Sequence, residues 1–134
     1  MKPRLLHTMI RVKDLDRSVR FYTEVLGLTE QRRRVIAKGD ATLVFLTDDD
    51  GHYAIELTFN HDGRDYELGN QFGHFALGVP DLEATSAELA AQGIEFSRGP
   101  YRVSTGGALI AFIRDPDGVE IELIERVDPG GGRR

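Results

Sequence analysis

The stretch that decides the fold reads His7-Thr8-Met9-Ile10-Arg11-Val12-Lys13-Asp14-Leu15, and the chain repeats its pattern later. The second copy reads His74-Phe75-Ala76-Leu77-Gly78-Val79-Pro80-Asp81-Leu82, with Val, Asp and Leu at the same offsets from the histidine. Each copy has the pattern of a β-strand followed by an aspartate that is suited to begin a helix. Two half-domains of similar pattern are therefore expected along the chain.

A glutamate between apolar residues marks the last strand of each half. The first lies in Ile55-Glu56-Leu57 and the second in Ile121-Glu122-Leu123, at nearly equal distances from the histidines of their halves. Because side chains alternate along a strand, the glutamates point away from their apolar neighbours. Each half therefore presents one imidazole and one carboxylate at matching places.

Two imidazoles and two carboxylates form a ligand set for a divalent metal ion. The sequence contains no cysteine, which excludes disulfides and thiolate catalysis and leaves only nitrogen and oxygen ligands. The pattern thus predicts a metalloenzyme in which four residues bind the metal, namely His7, Glu56, His74 and Glu122.

The order of elements predicts an α+β fold built from two tandem βαβββ modules. We expect the first module over residues 1–65, the second over 66–127 and a disordered tail over 128–134. In the second module, one of the strands is expected over residues 94–97.

The helix of each module has recognisable ends. Asp14 and Asp81 are expected as N-caps, and Gly27 and Gly93 as the residues that end the two helices.

Composition limits the classes of function that the chain can have. The chain has 134 residues, 40% of them hydrophobic, and a net charge of −5, which argues against a general nucleic-acid binder. No apolar stretch is long enough to span a membrane, and the lack of cysteine is typical of a cytoplasmic protein. We interpret the basic run Arg32-Arg33-Arg34 as a solvated strand edge.

Several longer motifs resemble glyoxalase I, a family of the vicinal oxygen chelate superfamily, and the resemblance runs from Leu5 to about Glu125. The motifs are Leu5-Leu6-His7-Thr8-Met9-Ile10-Arg11-Val12, Arg17-Ser18-Val19-Arg20-Phe21-Tyr22, Ile55-Glu56-Leu57-Thr58-Phe59-Asn60, Tyr66-Glu67-Leu68-Gly69, Phe72-Gly73-His74 and Ile110-Ala111-Phe112-Ile113-Arg114-Asp115-Pro116-Asp117-Gly118. The Ile-Glu-Leu-Thr-Phe-Asn run and the Tyr-Glu-Leu-Gly linker are the motifs most specific to glyoxalase I.

The resemblance implies a homodimer with active sites at the interface. The family's four metal ligands fall on His7 and Glu56 from one chain and on His74 and Glu122 from the other. It implies one divalent metal per site, with Ni²⁺ the expected ion and Co²⁺ and Zn²⁺ the alternatives.

The resemblance also implies the reaction of a lactoylglutathione lyase. The hemithioacetal of glutathione and methylglyoxal is isomerised through an enediolate to S-D-lactoylglutathione, which detoxifies methylglyoxal. Glu122 would be the principal base and Glu56 its partner. Arg11 and Asn60 would hold the glutamyl end of glutathione.

One departure from the family pattern leaves alternatives open. A lysine that often precedes the glycine pair has no match, because Ser104-Thr105-Gly106-Gly107 stands there. Arg98 or Arg102 would have to replace it, or the co-substrate is another small thiol. Two alternative hypotheses remain. The protein is a different metalloenzyme of the superfamily, such as a dioxygenase, an epimerase or a thiol transferase, or it is a non-enzymatic binding protein of the same fold.

Overall fold

The computed structural model describes residues 1–126 and divides the chain into two compact units. The first is Met1–Glu67, and the second begins at Leu68. The expectation of a disordered tail over 128–134 lies outside the described residues.

The first unit is a four-stranded sheet with one helical segment. Its elements are β1 (His7–Arg11), α1 (Leu15–Arg20), a π-helical turn (Phe21–Val25), β2 (Thr29–Val35), a 3₁₀ turn (Ala37–Gly39), β3 (Ala41–Thr47) and β4 (Ala54–Asn60). The strand order is β1-β4-β3-β2. The β1–β4 pair is parallel and the other pairs are antiparallel.

The second unit repeats this topology. Its elements are β5 (Phe75–Val79), α2 (Leu82–Ala90), β6 (Arg98–Arg102), β7 (Leu109–Arg114) and β8 (Glu120–Glu125), with strand order β5-β8-β7-β6. Here β5 and β8 form the parallel pair. The predicted α+β fold with two tandem βαβββ patterns is therefore confirmed.

The N-termini of both helices have the predicted capping hydrogen bonds. The carboxylate of Asp14 accepts a hydrogen bond from the backbone N–H of Arg17 at 3.0 Å, and that of Asp81 accepts one from the N–H of Ala84 at 2.9 Å. Each bond satisfies an N–H group that has no partner inside the helix.

One strand lies later in the chain than predicted. The expectation of a strand over 94–97 is wrong, because β6 covers Arg98–Arg102. Gly99 and Pro100 gave this stretch the composition of a turn, yet a strand at the edge of a sheet tolerates proline. At Gly99 a side chain would meet the carbonyl oxygen of Ile110 at 2.8 Å, so the close approach of β7 requires glycine there.

The buried side chains of the last strands fix the direction of the glutamates. Leu57 on β4 and both Ile121 and Leu123 on β8 are almost fully buried. Burying each such side chain contributes about 1.5–3 kcal/mol, so a register slip of one residue would be strongly unfavourable. None of the helices within residues 1–126 is long and apolar enough to cross a membrane.

Candidate metal centre

In the first unit the predicted histidine and glutamate meet on one face of the sheet. Met9 is in register with Glu56 across the parallel β1–β4 pair, and His7 lies two residues before Met9 on the same face. The ring atom Nε2 of His7 lies 3.2 Å from Oε1 of Glu56. The parallel pairing of β1 and β4 therefore creates this donor pair.

The second unit forms an equivalent pair. Ala76 is in register with Glu122 across β5 and β8, and His74 precedes Ala76 by the same two residues. Nε2 of His74 lies 3.1 Å from Oε1 of Glu122. The four predicted residues therefore form two imidazole–carboxylate pairs, one in each unit.

Within each pair, the spacing of nitrogen and oxygen fits two adjacent ligands of a metal ion. Nitrogen and oxygen ligands lie about 2.1 Å from a first-row divalent ion, so neighbouring octahedral ligands are roughly 3 Å apart. The observed 3.2 and 3.1 Å match that spacing. Each pair alone supplies only two donors. Within residues 1–126 no three His, Asp or Glu side chains converge on a common point.

A phenylalanine supports each imidazole. The ring of Phe45 meets that of His7 edge-on at 5.6 Å, and the ring of Phe112 meets that of His74 edge-on at 5.3 Å. Contacts of this kind contribute about 0.5–1.5 kcal/mol. They hold the imidazoles against rotation. Neither ring was predicted as a site residue, although each lies on the strand just before that of its glutamate.

An arginine stacks on each of these phenylalanines. The guanidinium carbon of Arg32 lies 3.9 Å from the ring centre of Phe45, and that of Arg98 lies 3.9 Å from the ring centre of Phe112. Arginine, phenylalanine and glutamate are in register in both sheets, so each unit carries the same row of three side chains on one face.

The two glutamates differ in their second oxygen. Oε2 of Glu56 accepts a short hydrogen bond of 2.6 Å from the hydroxyl of Thr58. At the position equivalent to Thr58 the second unit has Ile124, which cannot donate. The side chain of Glu56 is 10% exposed and that of Glu122 is 17% exposed. Glu56 is therefore held more firmly than Glu122.

The predicted substrate residues both belong to the first unit. Arg11 ends β1 in an exposed position and pairs in register with Thr58. Asn60 ends β4, where its side-chain amide donates to the hydroxyl of Tyr66 at 2.8 Å. Both lie an even number of residues from their metal-ligand candidates, so they share the face of the donor pair.

The two arginines considered as replacements for the missing lysine are already engaged. Arg98 donates to the carboxylate of Glu120 at 2.7 Å. Arg102 donates to the backbone carbonyl oxygen of Gly107 at 2.5 Å. Each of the two guanidinium groups therefore already has a partner within the second unit.

Comparison with known proteins identifies the family. The model of the Glyoxalase/Bleomycin resistance protein/Dioxygenase superfamily matches residues 4–123. The chain belongs to this superfamily. It is 44% identical over 130 residues to a protein of Haemophilus influenzae named lactoylglutathione lyase, and the match covers 96% of both chains.

Longer members of the superfamily also match. The chain is 44% identical over 127 residues to a protein of Arabidopsis thaliana named probable chloroplastic lactoylglutathione lyase. It also matches the crystal structure of glyoxalase I from Zea mays with a TM-score of 0.84 and 38% identity, over 93% of this chain. The chain spans only 36% and 45% of the lengths of these two plant proteins.

Proposed function

We propose that this protein is a lactoylglutathione lyase that isomerises the hemithioacetal of glutathione and methylglyoxal to S-D-lactoylglutathione. One observation carries the proposal: the same imidazole–carboxylate pair, at metal-ligand spacing, occurs at equivalent positions of both units. The similarity to the Haemophilus influenzae protein over almost the full length of both chains supports it.

The proposed metal centre combines donors from two chains. His7 and Glu56 of one protomer and His74 and Glu122 of its partner would hold one divalent cation. A homodimer with two such sites follows, since each pair alone supplies two donors. We propose Ni²⁺ as the ion, because a histidine at the first ligand position resembles the nickel-activated class of the family.

The chemistry required is a proton transfer between neighbouring carbons. The carboxylate of Glu122 removes the proton from C1 of the hemithioacetal and returns it to C2, with an enediolate between the two steps. A bound divalent cation supplies Lewis-acid stabilisation of the oxyanion that develops. The hydroxyl of Thr58 holds Glu56 in place as a ligand, whereas Glu122 lacks such a restraint and is free to act as the base.

We propose that residues at the C-terminal ends of β1 and β4 orient the substrate. Arg11 presents a guanidinium that suits a bidentate carboxylate contact, and the amide of Asn60 is held in place by Tyr66. Together they would bind the glutamyl end of glutathione. Because the reaction consumes a reduced thiol, we propose a cytoplasmic location.

A reconstitution assay tests the reaction and the metal. Metal-stripped protein is reloaded separately with Ni²⁺, Co²⁺ and Zn²⁺ and added to equilibrated methylglyoxal and glutathione. We expect the ultraviolet absorbance of the thioester to rise, fastest with Ni²⁺. A rise with Zn²⁺ alone would overturn the proposed metal, and no rise with any bound ion would overturn the proposed reaction.

A complementation experiment tests the shared site. One variant carries His7→Ala with Glu56→Ala, and the other carries His74→Ala with Glu122→Ala. Each variant alone should be inactive, whereas mixed dimers should regain activity at one intact site out of two. If refolded mixtures stay inactive although mixed dimers form, the site does not combine donors from two chains.

A further inference from the structure

The two units differ beside this row of arginine, phenylalanine and glutamate, at the position two residues before the glutamate. In the second unit Glu120 lies two residues before Glu122, and its carboxylate pairs with Arg98 at 2.7 Å. In the first unit the equivalent position, two residues before Glu56, is Ala54. Alanine offers no carboxylate, so Arg32 keeps the stacking contact with Phe45 but lacks this ion pair.

Within residues 1–126 no carboxylate is paired with Arg32. Its neighbour Arg33 is different, because Glu30 receives two hydrogen bonds from that guanidinium, at 3.0 and 2.9 Å. The hydrogen bond with Glu30 raises the pKa of Arg33. The basic run thus contains one neutralised arginine and, directly before it, an exposed guanidinium fixed over an aromatic ring.

Arg32 lines a pocket beside the donor pair of the first unit. The pocket has a volume of about 280 Å³, and its walls include His7, Phe45, Tyr53 and Ala54. Stacking on Phe45 fixes the plane of the guanidinium and leaves its N–H edge available for a carboxylate. The small side chain of Ala54 helps to leave this space open.

We propose that Arg32 is a specificity-determining residue whose guanidinium binds a carboxylate on the thiol part of the substrate. The inference rests on the proposed function and deepens it, because it states that the thiol must carry an acid group at this end. Arg98, neutralised by Glu120, has only a structural role in the second unit.

The dimensions of the first unit agree with such a ligand. Arg32 lies in the row of Glu56 but two strands across from β4, and Asn60 lies four residues further along β4. At about 3.3 Å per residue and about 4.8 Å per strand, the backbones of Arg32 and Asn60 are roughly 16 Å apart. An extended tripeptide spans up to about 10 Å, and the long arginine side chain covers the remainder. Glutathione carries one carboxylate at each end, so Asn60 and Arg32 would hold opposite ends.

The test measures binding to the metal-loaded dimer by calorimetry, with S-hexylglutathione and its glycyl ethyl ester as probes. Wild-type protein should bind the acid about 10–100-fold more tightly than the ester, as expected for one charge-assisted hydrogen bond. Arg32→Gln should abolish this preference and Arg32→Lys should retain part of it. The matched control Arg98→Gln should keep the full preference.

Several results would overturn the inference. These are equal binding of acid and ester by wild-type protein, an unchanged preference in Arg32→Gln, or the same loss in Arg98→Gln. If Arg32→Gln does not fold, the relative affinities of wild-type protein and of Arg32→Lys for acid and ester still test whether Arg32 binds the carboxylate. Isomerase activity of the wild-type protein is measured in parallel. If the protein is active but binds acid and ester equally, only the role of Arg32 is rejected. If it prefers the acid but is inactive, only the proposed reaction is rejected.

Discussion

The two units share a scaffold but hold their glutamates differently. In the first unit the hydroxyl of Thr58 donates to Glu56, whereas the second unit has Ile124 at the equivalent position, beside Glu122. The imidazole contacts are nearly identical, at 3.2 and 3.1 Å. Repetition of the fold therefore keeps the direction of the donors, and a single neighbouring side chain decides whether the second carboxylate oxygen has a hydrogen-bond partner.

This difference suits a division of labour. A carboxylate with both oxygens engaged is a stable ligand but a poor shuttle for protons. A carboxylate with one oxygen unrestrained can leave its position and reach two neighbouring carbons. The comparison assigns the first role to Glu56 and the second to Glu122, under the proposed reaction.

The largest effect is expected when the two glutamates are neutralised in turn. Glu122→Gln should lower kcat by about 10²–10⁴-fold, the usual contribution of a general base, while most of the metal is retained. Glu56→Gln should lower kcat less. Steady-state kinetics with parallel metal analysis measures both, and equal losses in kcat would contradict the division of labour.

A smaller effect is expected from releasing Glu56. Thr58→Val removes the donor without a large change in volume, so the free energy of unfolding should fall by about 1–3 kcal/mol as a buried acceptor loses its partner. Combined with Glu122→Gln, it should raise the residual kcat roughly ten-fold, since Glu56 can then move. Ile124→Val in the same Glu122→Gln background is the control and should leave kcat unchanged. A double variant no faster than Glu122→Gln alone would show that Thr58 does not restrain the glutamate.

The smallest effects are expected at the helix N-caps, where the units are alike. Asp14→Ala and Asp81→Ala should each lower the free energy of unfolding by about 1 kcal/mol, because each removes one capping hydrogen bond. Chemical denaturation measures the loss, and Asp→Asn at the same positions should restore most of it. A large change in kcat from either alanine variant would mean that the caps affect the site as well as the scaffold.

Much of the fold follows from local sequence patterns. The strands Ala41–Thr47 and Phe75–Val79 consist of apolar and β-branched residues that end at clear turn signals, so their limits can be placed from the sequence. The four donor residues could also be placed on one face per unit, since strand alternation is a strict rule. The pairing of His7 with Glu56 required only the parallel register of β1 and β4.

The remaining features depend on register, which the sequence does not encode locally. A bulge between Glu30 and Arg32 shifts the pairing of β2 with β3. It decides which arginine of the basic run lies over Phe45. Composition alone therefore indicates only a solvated strand edge for Arg32-Arg33-Arg34. The contrast between Arg32 and Arg98 emerged only from the paired strands.

The parallel pairs also bear on the kinetics of folding. In each unit the donor pair joins the first strand to the last, and the β1–β4 ladder pairs residues 47 positions apart, such as His7 with Ala54. Contacts of long sequence separation slow folding, so this ladder is expected to close late. A metal ion that binds the closed ladder stabilises only the finished sheet. Metal supply would then act on the yield of folded protein during synthesis, as well as on the rate of the mature enzyme.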